Sequence, residues 1–302
     1  MTTATDPRSG RLPHLGVLRF TGPDSVSFLQ GQVSNDTRRL TEGSPLLAAY
    51  SSPQGRVLAL MHLLPHSTGV VAILPRELVL PTLEALRKFV LRAKVKIDDA
   101  SEQLSVSGQH GTSHLRSAGI AAPENGTRYM ETEDVGVGAV SRDGGRYWVI
   151  GSPEKLAKHG LAGDLLQADQ IAHDWRLADI RTGLPQIYLA TREAFVAQML
   201  NLDLLDGISF SKGCYTGQEI IARTQHLGRI KRRLYRLQLP LGEWSVGQAL
   251  RLTDGRSGRL TEVVRSGGGF EALAVLNKES GEGESAAESA VAVTQLPLPY
   301  EL

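Results

Sequence analysis

One cysteine occurs in the 302 residues, Cys214, and it sits in Lys212-Gly213-Cys214-Tyr215-Thr216-Gly217-Gln218-Glu219. A thiol reacts as its thiolate, and ionisation is favoured beside a cation or at a helix start. Lys212 offers the cation. Gly213 and Gly217 allow backbone conformations closed to other residues, which predicts a tight loop from 213 to 217. From Gln218 the apolar run Ile220-Ile221-Ala222 predicts a helix. Two readings of Cys214 are open on these residues, a reactive thiol in a positive field or a small buried hydrophobe. Lys212 is correspondingly a field source or a solvated surface charge. Glu219 can cap the loop or pair with Lys212 or Arg223.

The densest basic run follows, Arg223 to Arg236, with six Lys or Arg and no acid. Phosphates, RNA or a polyglutamate tail suit such a run, as do acids of a neighbouring unit. Trp175 falls in a predicted helix beside Arg176 and Asp179. Its ring is either a stacking face for a heteroaromatic ligand or a core residue. Asn201 and Asp203 suit a binding role or a turn role equally. The eight histidines are scattered without metal-ligand spacing, so no metal site is expected. Gly267-Gly268-Gly269 lacks the Lys-Ser/Thr of a phosphate loop, and no Gly-x-Ser-x-Gly elbow occurs.

The elements that must position these residues read as a mixed fold. Leu15–Thr21 is β-like, and a helix begins near Pro23. Leu46–Tyr50, Arg56–Leu64 and Gly69–Leu74 form a meander turned by Ser52-Pro53-Gln54-Gly55. Glu77–Val90 is a helix with Leu80, Leu83, Leu86, Phe89 and Val90 as its stripe, and Val95–Ile97 is a short strand. Strands follow at Leu104–Ser107, Val135–Val140 and Tyr147–Ile150, while 108–133 is polar and turn-rich. Ser152 caps a helix opened by Pro153, and another helix spans Ala168–Ile180. Short strands at Leu234–Leu239, Ala249–Thr253, Gly258–Val264, Glu271–Leu276 and Ala290–Val293 suggest a small barrel. Gly281–Ser289 reads as a mobile loop. The net charge of +1 gives no general polyanion field, and no apolar stretch reaches membrane-spanning length. One cysteine suits a reducing compartment, and residues 1–13 lack the apolar segment of a signal peptide, so a cytoplasmic protein is expected.

The octapeptide closely resembles the signature of the YgfZ family, folate-binding proteins that assist iron–sulfur enzymes and are related to the glycine-cleavage T protein. The resemblance extends to Gln198–Asp203, Gly207–Phe210 and Ile221–Arg223. It also takes in Phe28–Gln32 with Asp36, Gln54–Arg56 and Arg92–Val95. It covers most of the chain and is patchy from about 105 to 170. It implies an α+β three-part cloverleaf around a central channel. Residues 1–46 plus 102–225 would form a discontinuous folate-binding unit carrying the Cys motif. Residues 47–101 would be an inserted α+β unit, and 226–302 a C-terminal β-barrel. It further implies a tetrahydrofolate (or a folate derivative) held by Trp175, Gln198, Asn201, Tyr215, Gln218, Glu219 and Arg223, with Cys214 and Lys212 as chemical residues. Gln218 could meet a pterin edge with donor and acceptor together. Some members carry a Trp at 175 in the folate pocket. A second pocket Trp of some members would fall near Leu15.

The implied function is an accessory factor for assembly or repair of [4Fe–4S] proteins, with iron–sulfur clients that include radical tRNA-modifying enzymes. A monomer with no membrane partner is expected. The alternatives are a folate-dependent aminomethyl or one-carbon transferase, and an RNA-binding module. The T protein uses an aspartate that would fall between Gly69 and Ile97. This chain has none there and reads Leu74-Pro75-Arg76-Glu77, so glycine-cleavage turnover is not expected.

Overall fold

The computed structural model describes residues 9–123, 129–140, 145–226, 229–280 and 290–302. Strands β1 (Gly10–Arg11) and β2 (Leu15–Thr21) precede helix α1 (Ser25–Gln30). The meander follows as β3 (Leu46–Ser51), β4 (Val57–His66) and β5 (Gly69–Pro75), then α2 (Arg76–Arg87) and β6 (Lys96–Asp99). Next come β7 (Ser105–His110), α3 (Ser113–Ser117), β8 (Tyr129–Glu131), β9 (Val135–Ala139) and β10 (Arg146–Gly151). Helices α4 (Pro153–Lys158), α5 (Ala168–Thr182) and α6 (Gln218–His226) lead to the last strands. These are β11 (Arg232–Leu239), β12 (Ala249–Arg251), β13 (Ser257–Ser266), β14 (Gly269–Asn277) and β15 (Thr294–Leu296). They build three five-stranded sheets, of order β3-β4-β5-β2-β6, β1-β7-β10-β9-β8 and β12-β13-β14-β11-β15, with antiparallel pairing between the strands.

The chain divides into two compact units, Met1–Gly31, Asp36–Ala48 and Met61–Trp175 in one, and Gln32–Asn35, Ala49–Leu60 and Arg176–Leu302 in the other. In the first, β2 pairs along its whole length with β5, Leu15 opposite Pro75 and Thr21 opposite Gly69. Alternation is lost in these strands because both faces are covered; β4 is buried from Val57 to Leu64. The stripe of α2 is phased differently from expectation. Leu78, Val79, Thr82, Leu83 and Leu86 are inside, whereas Leu80 and Phe89 are 57% and 46% exposed. The helix is leucine-rich on two adjacent faces, so periodicity alone does not choose between them. Ser152 does cap α4, its Oγ accepting from Lys155 N, with Pro153 in the first turn. The polar, turn-rich stretch 108–133 contains α3 and all of β8. Leu115 of α3 packs with Val137, Val149 and Leu156 in a core between α3, α4 and the sheet.

In the second unit β11, β13 and β14 enclose Leu237, Leu239, Leu250, Leu260, Ala272 and Leu276. The sheet curls. Leu252, just past edge strand β12, bridges Val291, three residues ahead of the other edge strand, β15. The expected strand at Ala290–Val293 is therefore displaced to Thr294–Leu296, and Val291 makes only the bridge. The expected loop Gly281–Ser289 lies outside the described residues.

Candidate functional site

The Cys214 loop is built from two anchors and an exposed tip. Residues 206–212 are laced to the segment Val33–Asn35. Ser34 Oγ donates to Gly207 O at 2.6 Å, Asn35 Nδ2 to Asp206 O at 2.6 Å, and Ser209 N to Ser34 O at 2.9 Å. Lys212 completes the seam. It is 5% exposed, and its Nζ donates to Val33 O at 2.7 Å and Asn35 O at 2.8 Å, with the Tyr215 ring 4.8 Å beneath it. The solvated-charge reading of Lys212 is thus corrected: its ammonium is taken up inside by carbonyls and a π face. Between Lys212 and Tyr215 the chain stands clear. Cys214 is exposed, so the buried-hydrophobe reading of it is corrected as well, and a Cβ on Gly213 would meet nothing within 4 Å.

On the far side of the tip, Tyr215 is 8% exposed, and burial pushes its phenol up to about 12. Gln218 closes the loop: its Oε1 accepts from Tyr215 N at 3.3 Å while its own N–H donates to Tyr215 O at 3.2 Å. Of the two glycines from which the loop was expected, Gly217 uses a conformation reserved for glycine, whereas Gly213 has no positive φ and open space around it. Gly217 has φ 82°, and a Cβ there would lie 2.6 Å from Ser52 O. Gly55 has φ 71°, and its Cβ would lie 2.9 Å from Ile220 Cβ. The hairpin 52–55 therefore sits against the start of α6 only because both positions are glycine.

The remaining expected contacts sort by burial. Gln198 is fully buried; its Nε2 donates to Ile221 O at 2.6 Å, and its Oε1 has no hydrogen-bond partner among the described residues. Asn201 adopts φ 58°, and its amide engages both backbone groups of Leu234, donating to O at 2.9 Å and accepting from N at 3.3 Å. That is the turn role. Glu219 and Arg223 are exposed on α6. The basic run splits. Arg233 forms a buried two-pronged pair with Asp203 at 2.6 and 2.8 Å, and Arg236 pairs with Glu271 at 2.6 Å. Glu271 also accepts from Arg181 at 2.8 Å, and the two arginines hold its carboxyl below the ordinary glutamate range against the pull of burial.

Trp175, in the first unit, has no exposed surface. Its ring lies 4.7 Å from Trp148 and 5.4 Å from His110, with the Arg146 guanidinium 4.6 Å over it. Gly108 leaves room for the indole, since a Cβ there would be 2.3 Å from Cε3. Of the two readings of Trp175, stacking face or core residue, its ring shows the packed environment of the second. His62 continues the stack, 5.0 Å from Trp148. Burial, reinforced by Arg146, lowers its pKa to about 3, so it is neutral. Trp148 Nε1, Trp175 Nε1 and His62 Nε2 are buried without a hydrogen-bond partner among the described residues. Sequence reasoning missed Trp148, Arg146 and His62. The one available signal was a histidine and a tryptophan interrupting apolar strands.

Comparison with known proteins settles the family. The chain is 32% identical over 244 residues to the tRNA-modifying protein YgfZ of Hamiltonella defensa, covering 79% of this chain and 70% of that protein. It is 32% identical over 295 residues to the same-named protein of Pectobacterium atrosepticum, covering 94% and 88%. The chain belongs to the YgfZ family. This agrees with the resemblance read from the octapeptide, although no protein-family model matches the chain. Among solved structures it resembles the glycine cleavage system aminomethyltransferase T of Bartonella henselae, with TM-score 0.63 and 13% identity over 90% of this chain and 79% of that one. That likeness bears on fold alone: this YgfZ member shares the T-protein architecture of three antiparallel sheets with flanking helices. Among its described residues no helix is long and apolar enough to cross a membrane.

Proposed function

We propose that this protein is a cytoplasmic folate-binding accessory factor in tRNA modification, acting through iron–sulfur enzymes and using Cys214. The observation that carries this reading is the presentation of the thiol. The single cysteine is exposed at a tip whose two ends are buried and hydrogen-bonded, in a chain whose relatives are named as tRNA-modifying proteins. A thiol held out in this way suits transfer to or from a large partner, and its thiolate is a soft ligand for iron. Lys212, Tyr215 and Gln218 act in this reading by fixing the backbone around it, while Asn201 fixes the backbone at Leu234. Glu219 and Arg223 are placed to meet a partner.

The folate is assigned to the aromatic stack. Buried N–H groups without acceptors are costly, and a ligand rich in acceptors removes that cost. Trp148 and Trp175 supply such donors, and His62 Nε2 supplies a further polar atom. When bound, tetrahydrofolate supplies a reduced pterin that carries one-carbon units. The protein's part is to orient it and keep water away. Glycine-cleavage turnover is not part of the proposal, since the acid at the relevant place, Glu77, is exposed in the first turn of α2.

Two measurements test the reading. Titrating tetrahydrofolate should quench tryptophan fluorescence saturably, and Trp175→Phe, which keeps the packing but removes the N–H, should weaken binding. No saturable quench at millimolar folate would remove the folate from the proposal. In cells lacking the protein, Cys214→Ser should fail to restore modified nucleosides in bulk tRNA. Full restoration would remove the thiol.

A further inference from the structure

The connection from α2 to the edge strand β6 leaves charged and apolar side chains in water together. Arg87 to Lys96 holds five Lys or Arg and no acid. Its backbone is held at both ends. Past α2 it coils tightly, Phe89 N donating to Leu86 O at 3.0 Å and Val90 N to Arg87 O at 3.1 Å. Lys94 is fixed to the start of α1. Its N donates to Asp24 Oδ2 at 2.6 Å, and a Cβ on Gly22 would lie 2.3 Å from its O. Val95 and Ile97 are buried, which turns Lys94 and Lys96 outward. Leu91 is nevertheless 86% exposed, and Phe89, two positions before it, stands nearly half out. Arg87 donates to Ile97 O at 3.1 Å. Lys88, Arg92, Lys94 and Lys96 are exposed and form no ion pair among the described residues. The adjoining carboxylates are engaged: Asp24 as above, Asp98 with Arg19 at 2.6 Å, and Asp99 with Ser101 N at 2.9 Å. Glu84, one turn ahead of Lys88, is exposed. The acids outside the described residues, Asp6, Glu124, Asp143, Glu282, Glu284 and Glu288, lie in other segments of the chain.

We propose that this connection docks the protein on an anionic lipid surface. Its apolar and charged side chains need different surroundings. Phe89 and Leu91 gain by leaving water, and the cations gain beside anions. The boundary of an anionic bilayer offers both together, acyl carbon beneath and charged headgroups above. An RNA would take the cations but leave Leu91, which has no flat face for a base, in water. A second copy would bring like charges together. Each Lys or Arg near such a surface strengthens partitioning about fivefold, so attachment through this one connection is reversible. Lying on a bilayer requires no membrane-spanning helix. The reading goes beyond the proposed role and rests on neither the folate nor Cys214.

The test sediments the full chain at low salt with two kinds of vesicle, phosphatidylglycerol and phosphatidylcholine in equal parts, and phosphatidylcholine alone. Wild type should sediment with the anionic vesicles and not with the neutral ones. The double variant Lys88→Gln/Arg92→Gln should lower the partition coefficient about 25-fold, two cations' worth. Leu91→Ser should lower it about tenfold, through the lost apolar contact. Leu166→Ser, at a leucine that is 96% exposed outside this connection, should leave it unchanged. Unchanged melting of each variant confirms that it is folded. The proposal is overturned if wild type stays in solution with anionic vesicles, or if neutral vesicles bind it equally well. It is equally overturned if Leu91→Ser binds as wild type does, which would mark a purely electrostatic contact. Absent vesicle binding together with a labelled tRNA transcript that the double variant holds less tightly would overturn it in favour of RNA. Folate titration of the same variants should be normal, so failure here and failure of the folate reading are distinguishable.

Discussion

Replacing Lys212 by Met separates two roles for the motif lysine. Nζ makes two charged hydrogen bonds, at 2.7 and 2.8 Å, to carbonyls of the segment Val33–Asn35. Bonds to charged groups contribute about 1.5–3 kcal/mol each, so losing both costs about 3–6 kcal/mol gross, before the contact with the Tyr215 ring. Sparing the desolvation of an ammonium returns part of this, leaving a net loss of about 2–3 kcal/mol. Denaturant melts measure it. Because Cys214 is the only cysteine, alkylation reports on the tip alone. If Lys212 is an anchor, Lys212→Met should lower the unfolding midpoint while the folded protein alkylates at the wild-type rate or faster. If Lys212 instead supplies a field to the thiol, stability should hold and alkylation near neutral pH should slow. An unchanged midpoint with slower alkylation would refute the anchor.

Three other outcomes follow from the geometry. Asp203→Ala strands the Arg233 guanidinium, both side chains being 9% exposed, and should cost about 3–5 kcal/mol in denaturant melts. A loss under about 1 kcal/mol would mean the pair behaves as a surface one. His62 has its pKa lowered from 6.5 to about 3, so the unfolded chain takes up the proton first as pH falls. Its contribution is complete above about 6.5 and lost on acidification, which amounts to about 2 kcal/mol between pH 7 and 5. His62→Leu should flatten the acid side of the stability curve by that amount, and equal slopes would contradict the assignment. Gly108→Ala drives a methyl into Trp175 and should destabilise by about 1–3 kcal/mol or more, with a shift in tryptophan emission. Unchanged emission and stability would show that the indole has room to move.

Strand positions, the hairpin at Ser52–Gly55, the cap at Ser152 and the loop-then-helix after Gly213 were legible because each is local. Turn residues, caps and periodicity act within a few positions. What was not legible is long-range. Lys212 reads as exposed because its partners are backbone carbonyls at 33 and 35, and carbonyls leave no residue-type signal. Trp175 stayed open between a stacking face and a core residue because the gap that receives it is made by Gly108, 67 positions earlier. The face of α2 was undetermined because leucines occupy two faces, and only the sheet beneath selects between them. The basic run read as one patch. Its division depends on acids at 203 and 271 that sequence distance hides.

The seam between Val33–Asn35 and Lys212 also has a consequence in time. Its partners are 177 and 179 positions apart. At about 5–20 residues per second, a ribosome needs roughly 10–35 s between making the two ends. Until then the carbonyls of 33 and 35 wait without their ammonium, although most of the first unit has already been synthesised. Contacts of such separation close late because the loop entropy must be overcome first. The rigid presentation of Cys214 is therefore among the last features the nascent chain acquires, and a chain cut short before residue 212 would have no thiol to present.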